Sequence, residues 1–377
     1  VKAFEHTSGP QDARVVFVGE AWGREEDALK RPFVGASGRE FWRMLGECYS
    51  DIDPPTHAFA AQCGGALWVR EREAWLTSAS MLFTNVLALR PQNNDLDTLC
   101  VSKKELPEGY RWPAIKIGRY VHPEVLEPQV ERLKQELLQT KPNLVVALGN
   151  MACLALLKRT GIGSIRGTVS ESTLVPGLKV LPTYHPAAIM RLWANRPIVL
   201  ADLLKARREW QRPEITRPIR WIVTDPSIED IEQWYEVHFR VLPRAMAIDI
   251  ETRFGQIECI GFAPSRSHAL VIPFIDYRKP GWSYWPQGLE MIAWQWVRRL
   301  CSLPIPKVFQ NGIFDIQYIW KMGIPVTQMY EDTMLLHHSM YPEMLKGLGF
   351  LGSVYSNEPA WKLMRQGRKT DALKKDE

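Results

Sequence analysis

The chain has 377 residues, 46% of them hydrophobic and 24% charged, with 47 Lys and Arg against 42 Asp and Glu for a net charge of +5. Such a length predicts two or three domains and excludes a lone small module, and no apolar run of about 18 residues is present to cross a membrane. The six cysteines, Cys48, Cys63, Cys100, Cys153, Cys259 and Cys301, include no C-x-x-C pair. That argues against a zinc module or a secreted disulfide framework and fits reduced thiols in a cytoplasm. The N-terminus lacks both an apolar signal core and an initiator Met, as expected of an unexported, processed or trimmed chain.

In chain order, residues 14–19 give the first strand signal, a β-branched run ending at Gly19, followed by a loop at 20–23 and an acidic helical stretch at 24–27. A second strand is expected over 80–86. A helix is predicted at about 124–140, with Val125, Val130, Leu133, Leu137 and Leu138 on one face and its end before Pro142. The strand 144–149 runs into a helix at 151–157, and a fourth strand, 179–183, leads to Tyr184-His185-Pro186 and a helix from about Ala187. Continuous apolar strands alternating with helices predict an α/β fold, a parallel sheet covered on both faces, with the site on the loops after the strands. Glu20, Asn85 and His185 are placed on such loops. The segments 50–78 and 102–122, rich in Trp, Pro and charge, read as insertions without an assigned role. Residues 158–212 hold ten basic against three acidic side chains, which fits either a phosphate-binding face or a solvated basic surface.

Residues 210–218, polar and Pro-containing, read as a linker between a first domain, 1–209, and a second, 219–377. The second opens on an edge strand at 219–223 and a helix capped by Asp225-Pro226, with Ile228, Ile231, Trp234 and Tyr235 on one face. Strands at 245–252, 258–262 and 269–273 follow without helices between them, which predicts an antiparallel meander and hence a mixed sheet. The Lys-rich tail from about Gly367 is expected to be disordered.

Taken alone, Glu20 in Gly19-Glu20-Ala21-Trp22-Gly23 is as readily a helix cap or a solvated loop residue. Its company is Arg31-Pro32-Phe33-Val34-Gly35-Ala36-Ser37-Gly38, then Phe83-Thr84-Asn85-Val86, then Pro182-Thr183-Tyr184-His185-Pro186-Ala187-Ala188-Ile189-Met190-Arg191. In this order the segments resemble the uracil-DNA glycosylase superfamily, family 4 in particular, over roughly residues 13–205. The resemblance implies a three-layer α/β/α fold and hydrolysis of the N-glycosidic bond of uracil in DNA. A stacked uracil must be flipped out, or met in a single strand. Phe33 would stack on it, and the Asn85 amide would read one edge and reject cytosine. His185 would donate to the base oxygen as negative charge develops there, and Glu20 would orient or activate water at the sugar carbon. Gly35, Gly38 and Arg191 would approach backbone phosphates. Ordinary core packing for Phe33, a turn for Asn85 and a helix cap for His185 are the competing structural roles.

Two departures from the family pattern stand out. Family 4 enzymes resemble one another in four cysteines that hold an iron-sulfur cluster. Here Leu89 stands where a cysteine is expected, the paired N-terminal cysteines are absent, and Cys100 alone is a candidate remnant, so no cluster is expected. Trp22 replaces a proline, an indole bulky enough to narrow or plug the pocket.

In Ile248-Asp249-Ile250-Glu251-Thr252 the strand period of two puts both carboxylates on one face. That is costly on a buried strand without a cation and cheap on a solvated edge. Asn311-Gly312-Ile313-Phe314-Asp315 follows at a strand-to-helix junction, then Glu331-Asp332-Thr333-Met334. D-x-E, N-x-x-x-D and E-D-T-M are similar to the proofreading 3′→5′ exonuclease domain of family A DNA polymerases over about 219–361, and residues 341–348 and 358–362 resemble the phage versions. The resemblance implies an RNase H-like fold in which Asp249, Glu251 and Asp315 hold Mg²⁺ or Mn²⁺ ions that activate a water and stabilise the leaving oxygen, with Asn311 and Phe314 beside them. The family's last motif, Tyr-x-x-x-Asp, is absent, so exonuclease activity is expected to be weak or nil.

The chain therefore reads as the N-terminal part of a bacteriophage-type family A DNA polymerase, monomeric, acting on DNA in the host cytoplasm, with a polymerase module as its partner in a longer chain. The alternative is a non-catalytic uracil- or DNA-binding module that tethers or stalls the polymerase on its template.

Overall fold

The computed structural model describes residues 3–49, 75–328 and 330–358; Cys63, most of the 50–78 segment, and the stretch from 359 with the Lys-rich tail lie outside them. Contacts divide the chain into two compact units, Val1–Thr216 with Gly349–Glu377, and Arg217–Leu348.

The strands of the first unit are β1 (Val15–Ala21), β2 (Met81–Leu87), a short ribbon of β3 (Cys100–Val101) and β4 (Tyr120–Val121), then β5 (Leu144–Leu148), β6 (Ser170–Glu171) and β7 (Lys179–Thr183). The main sheet has the order β2-β1-β5-β7-β6, parallel except for β6. Successive residues of each strand enter opposite cores. Val15 and Phe17 pack with Phe83, Val146 and Leu148 beneath the helices Ala36–Cys48 and Arg196–Glu209. Val16 and Val18 pack with Leu82, Val145 and Ala147 beneath Pro123–Thr140 and Gly149–Leu157. Burial on both faces is why these strands read as unbroken apolar runs, and the expected three-layer α/β/α unit is present.

Several expectations are corrected. The buried stripe of the helix Pro123–Thr140 is Leu126, Val130, Leu133 and Leu137, while Leu138 is exposed because it lies about 100° further round the helix. The ladder between β1 and β2 continues through Gly19 opposite Asn85 and Ala21 opposite Leu87. Glu20 and Asn85 therefore stand on strand ends rather than loops. The basic stretch is not one charged face. Arg166 forms a buried ion pair with Asp202, and Arg196 lies between Glu40 (2.8 Å) and Glu47 (2.5 Å). Lys179 is buried against the carbonyls of Glu209, Arg212 and Glu214, and Lys205 against those of Gly167 and Ser356. Burial pushes the Lys205 ammonium down to about 8. Trp210, read as linker, is buried and stacks on Tyr49 with ring centroids 4.9 Å apart. The helix Leu348–Tyr355, which no sequence signal announced, brings Ser353 to within 2.8 Å of the Arg166 guanidinium.

The second unit holds β8 (Trp221–Val223), β9 (Met246–Arg253), β10 (Gln256–Ala263), β11 (His268–Pro273), β12 (Lys307–Phe309) and β13 (Tyr330–Asp332) in the order β13-β12-β9-β10-β11-β8. β9, β10 and β11 form the antiparallel meander, and β12, β13 and β8 join in parallel. This is the mixed, RNase H-like sheet expected. Its first helix, Ile228–Phe239, is capped by Ser227 and not by Asp225: the Ser227 hydroxyl accepts from Asp230 N, and the Asp230 carboxylate accepts from Ser227 N. Asp225 instead accepts from the Tyr284 hydroxyl. Among the described residues no helix is long and apolar enough to cross a membrane.

Candidate active site

In a parallel sheet all strands end on one side, and at that edge of the first sheet lies a cleft of about 540 Å³. Its lining includes Glu20, Trp22, Phe33, Asn85, His185 and Arg191. The structure thus brings together five of the seven residues singled out for the first domain. Gly35 and Gly38 are close by with packing duties: Gly35 N donates to the buried Glu26 carboxylate at 2.8 Å, and a Cβ on Gly38 would sit 2.2 Å from the Phe33 carbonyl oxygen. The Gly35 N–H is therefore engaged and not offered to a phosphate.

Each side chain is set by its element. Phe33 is buried, with ring centroids 5.1 Å from Phe83 and 6.4 Å from His185, and it is held at φ +58°. A bulky residue in the left-handed region is strained, and such strain persists only where the surroundings enforce it. Asn85 is buried at the end of β2, and its carbonyl accepts from Arg132 Nη2 at 2.5 Å. Arg132 also reaches the Val86 carbonyl and pairs with Glu136, which accepts from the Thr84 hydroxyl. A buried, hydrogen-bonded ion pair thereby fixes the strand end that carries the amide.

His185 caps the helix Pro186–Arg191, its Nδ1 accepting from Ala187 N at 3.2 Å. Capping and lining the cleft are thus one role. With Nδ1 an acceptor, the ring proton of the neutral imidazole sits on Nε2. Burial lowers the pKa of His185 below the usual histidine value; Arg191 acts in the same direction, and Glu20 and Glu26 oppose it. Trp22 is a wall of the cleft and not a plug: it is buried, meets His6 edge-on at 4.9 Å and has Lys30 Nζ 5.1 Å from its ring centroid.

Sequence reasoning missed Gly149, Arg132 and Glu26. Gly149 has φ +87°, and a Cβ there would lie 2.5 Å from Glu20 Oε1 and 3.0 Å from His185 Cβ. Its signal was a glycine directly after a strand. Gly149→Ala is expected to destabilise the first unit by about 1–3 kcal/mol and to impair the cleft by displacing Glu20; urea denaturation and binding of uracil-containing oligonucleotides check it.

In the second unit Asp249 and Glu251 lie on the exposed face of β9, as the alternation predicts. Asp315 is buried in the first turn of Gly312–Lys321, and its Oδ1 accepts from Ile250 N at 2.9 Å. Burial and the nearby Asp249 and Asp332 raise its carboxyl to about 6, partly offset by hydrogen bonds from backbone N–H groups. Asp332 accepts from Asn311 N, Gly312 N and Met334 N, a clamp on the strand-to-helix junction. The Asn311 backbone is left-handed at that junction, and Phe314 packs on Tyr318 at 5.1 Å. Among the described residues no group of three or more His, Cys, Asp and Glu side chains is placed to hold a metal ion. Asp249 and Glu251 share one face of β9, and Asp249 lies close enough to Asp315 to help raise its carboxyl. Cys48, Cys100 and Cys153 are buried free thiols on separate elements.

Fold and cleft define a class: a three-layer α/β/α protein with a carboxylate, an aromatic ring, an amide and an imidazole around one cleft at its strand ends. The profile of the uracil DNA glycosylase superfamily matches residues 6–210, and the chain belongs to that superfamily. A type-4 uracil-DNA glycosylase of Thermotoga maritima is 30% identical over 203 residues, 53% of this chain and 79% of that protein. One from Archaeoglobus fulgidus is 29% identical over 188 residues, 48% of this chain and 69% of that protein. Among solved structures, Brucella melitensis NrnC with bound Mg²⁺ has 19% identity and a TM-score of 0.24, covering 36% of this chain and 61% of its own. Escherichia coli RNase D, an exoribonuclease involved in structured RNA processing, has 17% identity and a TM-score of 0.27, covering 37% of this chain and 34% of its own. The chain thus spans less than two thirds of the length of these two solved structures.

Proposed function

We propose that the first unit hydrolyses the N-glycosidic bond of uracil in DNA. The observation that carries this reading is the meeting of Glu20, Phe33, Asn85 and His185, from four separated segments, in one cleft. Phe33 offers a ring to stack on, and Asn85 an amide donor and acceptor for one edge of the base. As the C1′–N bond breaks, its electron pair leaves with the base. His185, a neutral Nε2–H donor, stabilises the negative charge on the base oxygen without prior proton uptake. One oxygen of Glu20 faces Met151 N at 3.4 Å, which orients the carboxylate. Water attacks C1′ and its proton passes to Glu20. The exposed Arg191 on the cleft rim is placed to meet a phosphate.

This assignment fixes a pH dependence. The depressed His185 pKa means that the neutral donor persists through neutral pH. Excision is expected to be flat above about pH 6.5 and to fall below it, as protonation of Nδ1 ends the cap on Ala187 N. The group's contribution to stability follows the same sign: present in full above the ordinary histidine pKa and lost as pH falls through the folded one. A pH–rate profile of the wild type against His185→Gln checks this, since the variant should lack that acid limb.

We read the second unit as a proofreading-type exonuclease fold, supported by the D-x-E and N-x-x-x-D spacing and by the strand order. The whole chain we read as the N-terminal region of a bacteriophage-type family A DNA polymerase, in which covalent linkage would couple uracil removal to replication. Asp249, Glu251 and Asp315 are the carboxylates that would hold Mg²⁺ or Mn²⁺ in such a fold, where the ions would activate a water and stabilise the leaving oxygen. The test is incubation of labelled oligonucleotides bearing one uracil with the chain in EDTA, then alkali and a denaturing gel. Cleavage at uracil alone supports the proposal; uracil-dependent binding without cleavage supports the tethering module instead.

A further inference from the structure

We propose that residues 349–358 are an intramolecular clasp: a helix returning to the first unit that seats in a charged socket of Arg166, Asp202, Lys205 and Glu209 and fixes the end of β7, from which His185 enters the cleft. The inference rests on the excision reading above for the role of His185 and deepens it by adding a positioning element far along the chain. The chain leaves the first unit after Thr216 and rejoins it at Gly349. The helix there, Leu348–Tyr355, has eight residues, two of them glycine. So short a helix is not stable alone in water, and glycine weakens it further. Its order therefore comes from what it docks against.

The socket has the chemistry that receives a helix C-terminus. The last turn of a helix leaves carbonyls without intrahelical donors, and a cation beside them is favourable. The buried Lys205 Nζ donates to the carbonyls of Ser353, Ser356 (2.7 Å) and Gly167 (2.8 Å). Two of these three acceptors belong to the clasp, and a buried ammonium deprived of them would be costly. Arg166 Nη1 donates to Ser353 Oγ at 2.8 Å, and its guanidinium lies 5.3 Å from the centroid of the Phe350 ring. Asn357 Nδ2 donates to Glu209 Oε1 at 2.7 Å. Gly167, at φ +71°, clears the approach: a Cβ there would lie 2.9 Å from the Ser353 carbonyl oxygen and 2.8 Å from Asp202 Oδ1. The other side of the same socket grips β7. Asp202, paired with Arg166, accepts from the Thr183 hydroxyl at 2.7 Å, and Gly167 N donates to the Pro182 carbonyl at 2.8 Å. Thr183 ends β7 two residues before His185. Releasing the clasp therefore loosens the groups that hold the approach to His185.

The test follows backbone hydrogen exchange of the full chain by mass spectrometry. In the wild type, amides 349–357 should be protected as those of a docked helix. Ser353→Pro, which breaks the helix, should speed their exchange about a hundredfold, and amides 183–187 should follow by about tenfold or more. Ser353→Ala with Asn357→Ala removes two side-chain bonds and spares the helix, so about tenfold is expected at 349–357 with 183–187 again following. That pair decides the matter if Ser353→Pro unfolds the whole first unit. Single-turnover uracil excision should fall about tenfold in the variants while affinity for the uracil oligonucleotide stays within about twofold, a split that general unfolding would not give. Wild-type exchange at 349–357 as fast as in an unstructured peptide overturns the clasp. So does release of 349–357 with no change at 183–187, or with an unchanged rate in an enzyme that excises. If the wild type releases no uracil, the excision reading fails alone, and the exchange arms still decide the clasp.

Discussion

Glu20→Gln is expected to lower uracil excision by about 10²-fold or more while leaving the fold intact. The amide is nearly isosteric, so it can still meet Met151 N, and Glu20 lies at the open end of β1 rather than in the core. What it cannot do is take a proton from water. His185→Asn is the matching change. Asn preserves a helix cap where Ala would cost about 1 kcal/mol of helix stability, but its shorter side chain withdraws the donor from the base, with a loss of about 10²-fold or more. Rates from single-turnover excision and melting curves of both variants separate chemistry from folding. Unchanged rates would remove these residues from the mechanism.

Arg132→Met is expected to destabilise the first unit by about 3–5 kcal/mol. Arg132 is 3% exposed and bonds Glu136, Thr84 and the carbonyls of Asn85 and Val86. Removing it strands the fully buried Glu136 carboxylate and leaves two strand-end carbonyls without their donor. The double change Arg132→Met with Glu136→Leu should recover much of the loss, because an apolar pair of similar volume often replaces a buried ion pair at little cost. Chemical denaturation of both variants measures it. A single variant as stable as the wild type would mean that the pair does not hold β2 in place.

Legibility followed the range of the physics. Strands buried on both faces advertise themselves as β-branched runs, so β1, β5 and β7 were readable nearly to the residue, and the face shared by Asp249 and Glu251 followed from the strand period. Glu20, Phe33, Asn85 and His185 were legible through the resemblance of their ordered segments to the uracil-DNA glycosylase superfamily; taken singly, each read as readily as a cap, a turn or core packing. Gly149 and Arg132 were not legible, since their roles arise from contacts with Glu20 and Asn85 that only the folded sheet creates. The basic stretch misled for the same reason: Arg196 and Lys205 find their partners in Glu40, Glu47 and backbone carbonyls, none of which a count of charges can see. At the helix Ile228–Phe239 the sequence pointed to Asp225 as the cap, and only the reciprocal bonds of Ser227 and Asp230 show that Ser227 holds that place. Asp315 shows the opposite limit: its spacing from Asn311 is legible, but the hydrogen bond it accepts from Ile250 N is not.

The central claim, that the first unit breaks the glycosidic bond of uracil, is tested most directly by quantifying free uracil by mass spectrometry after incubating the chain with a uracil-containing oligonucleotide in EDTA. The account predicts one uracil released per strand, with release greatly slowed by Glu20→Gln. Tight, uracil-dependent binding with no free base released would contradict it.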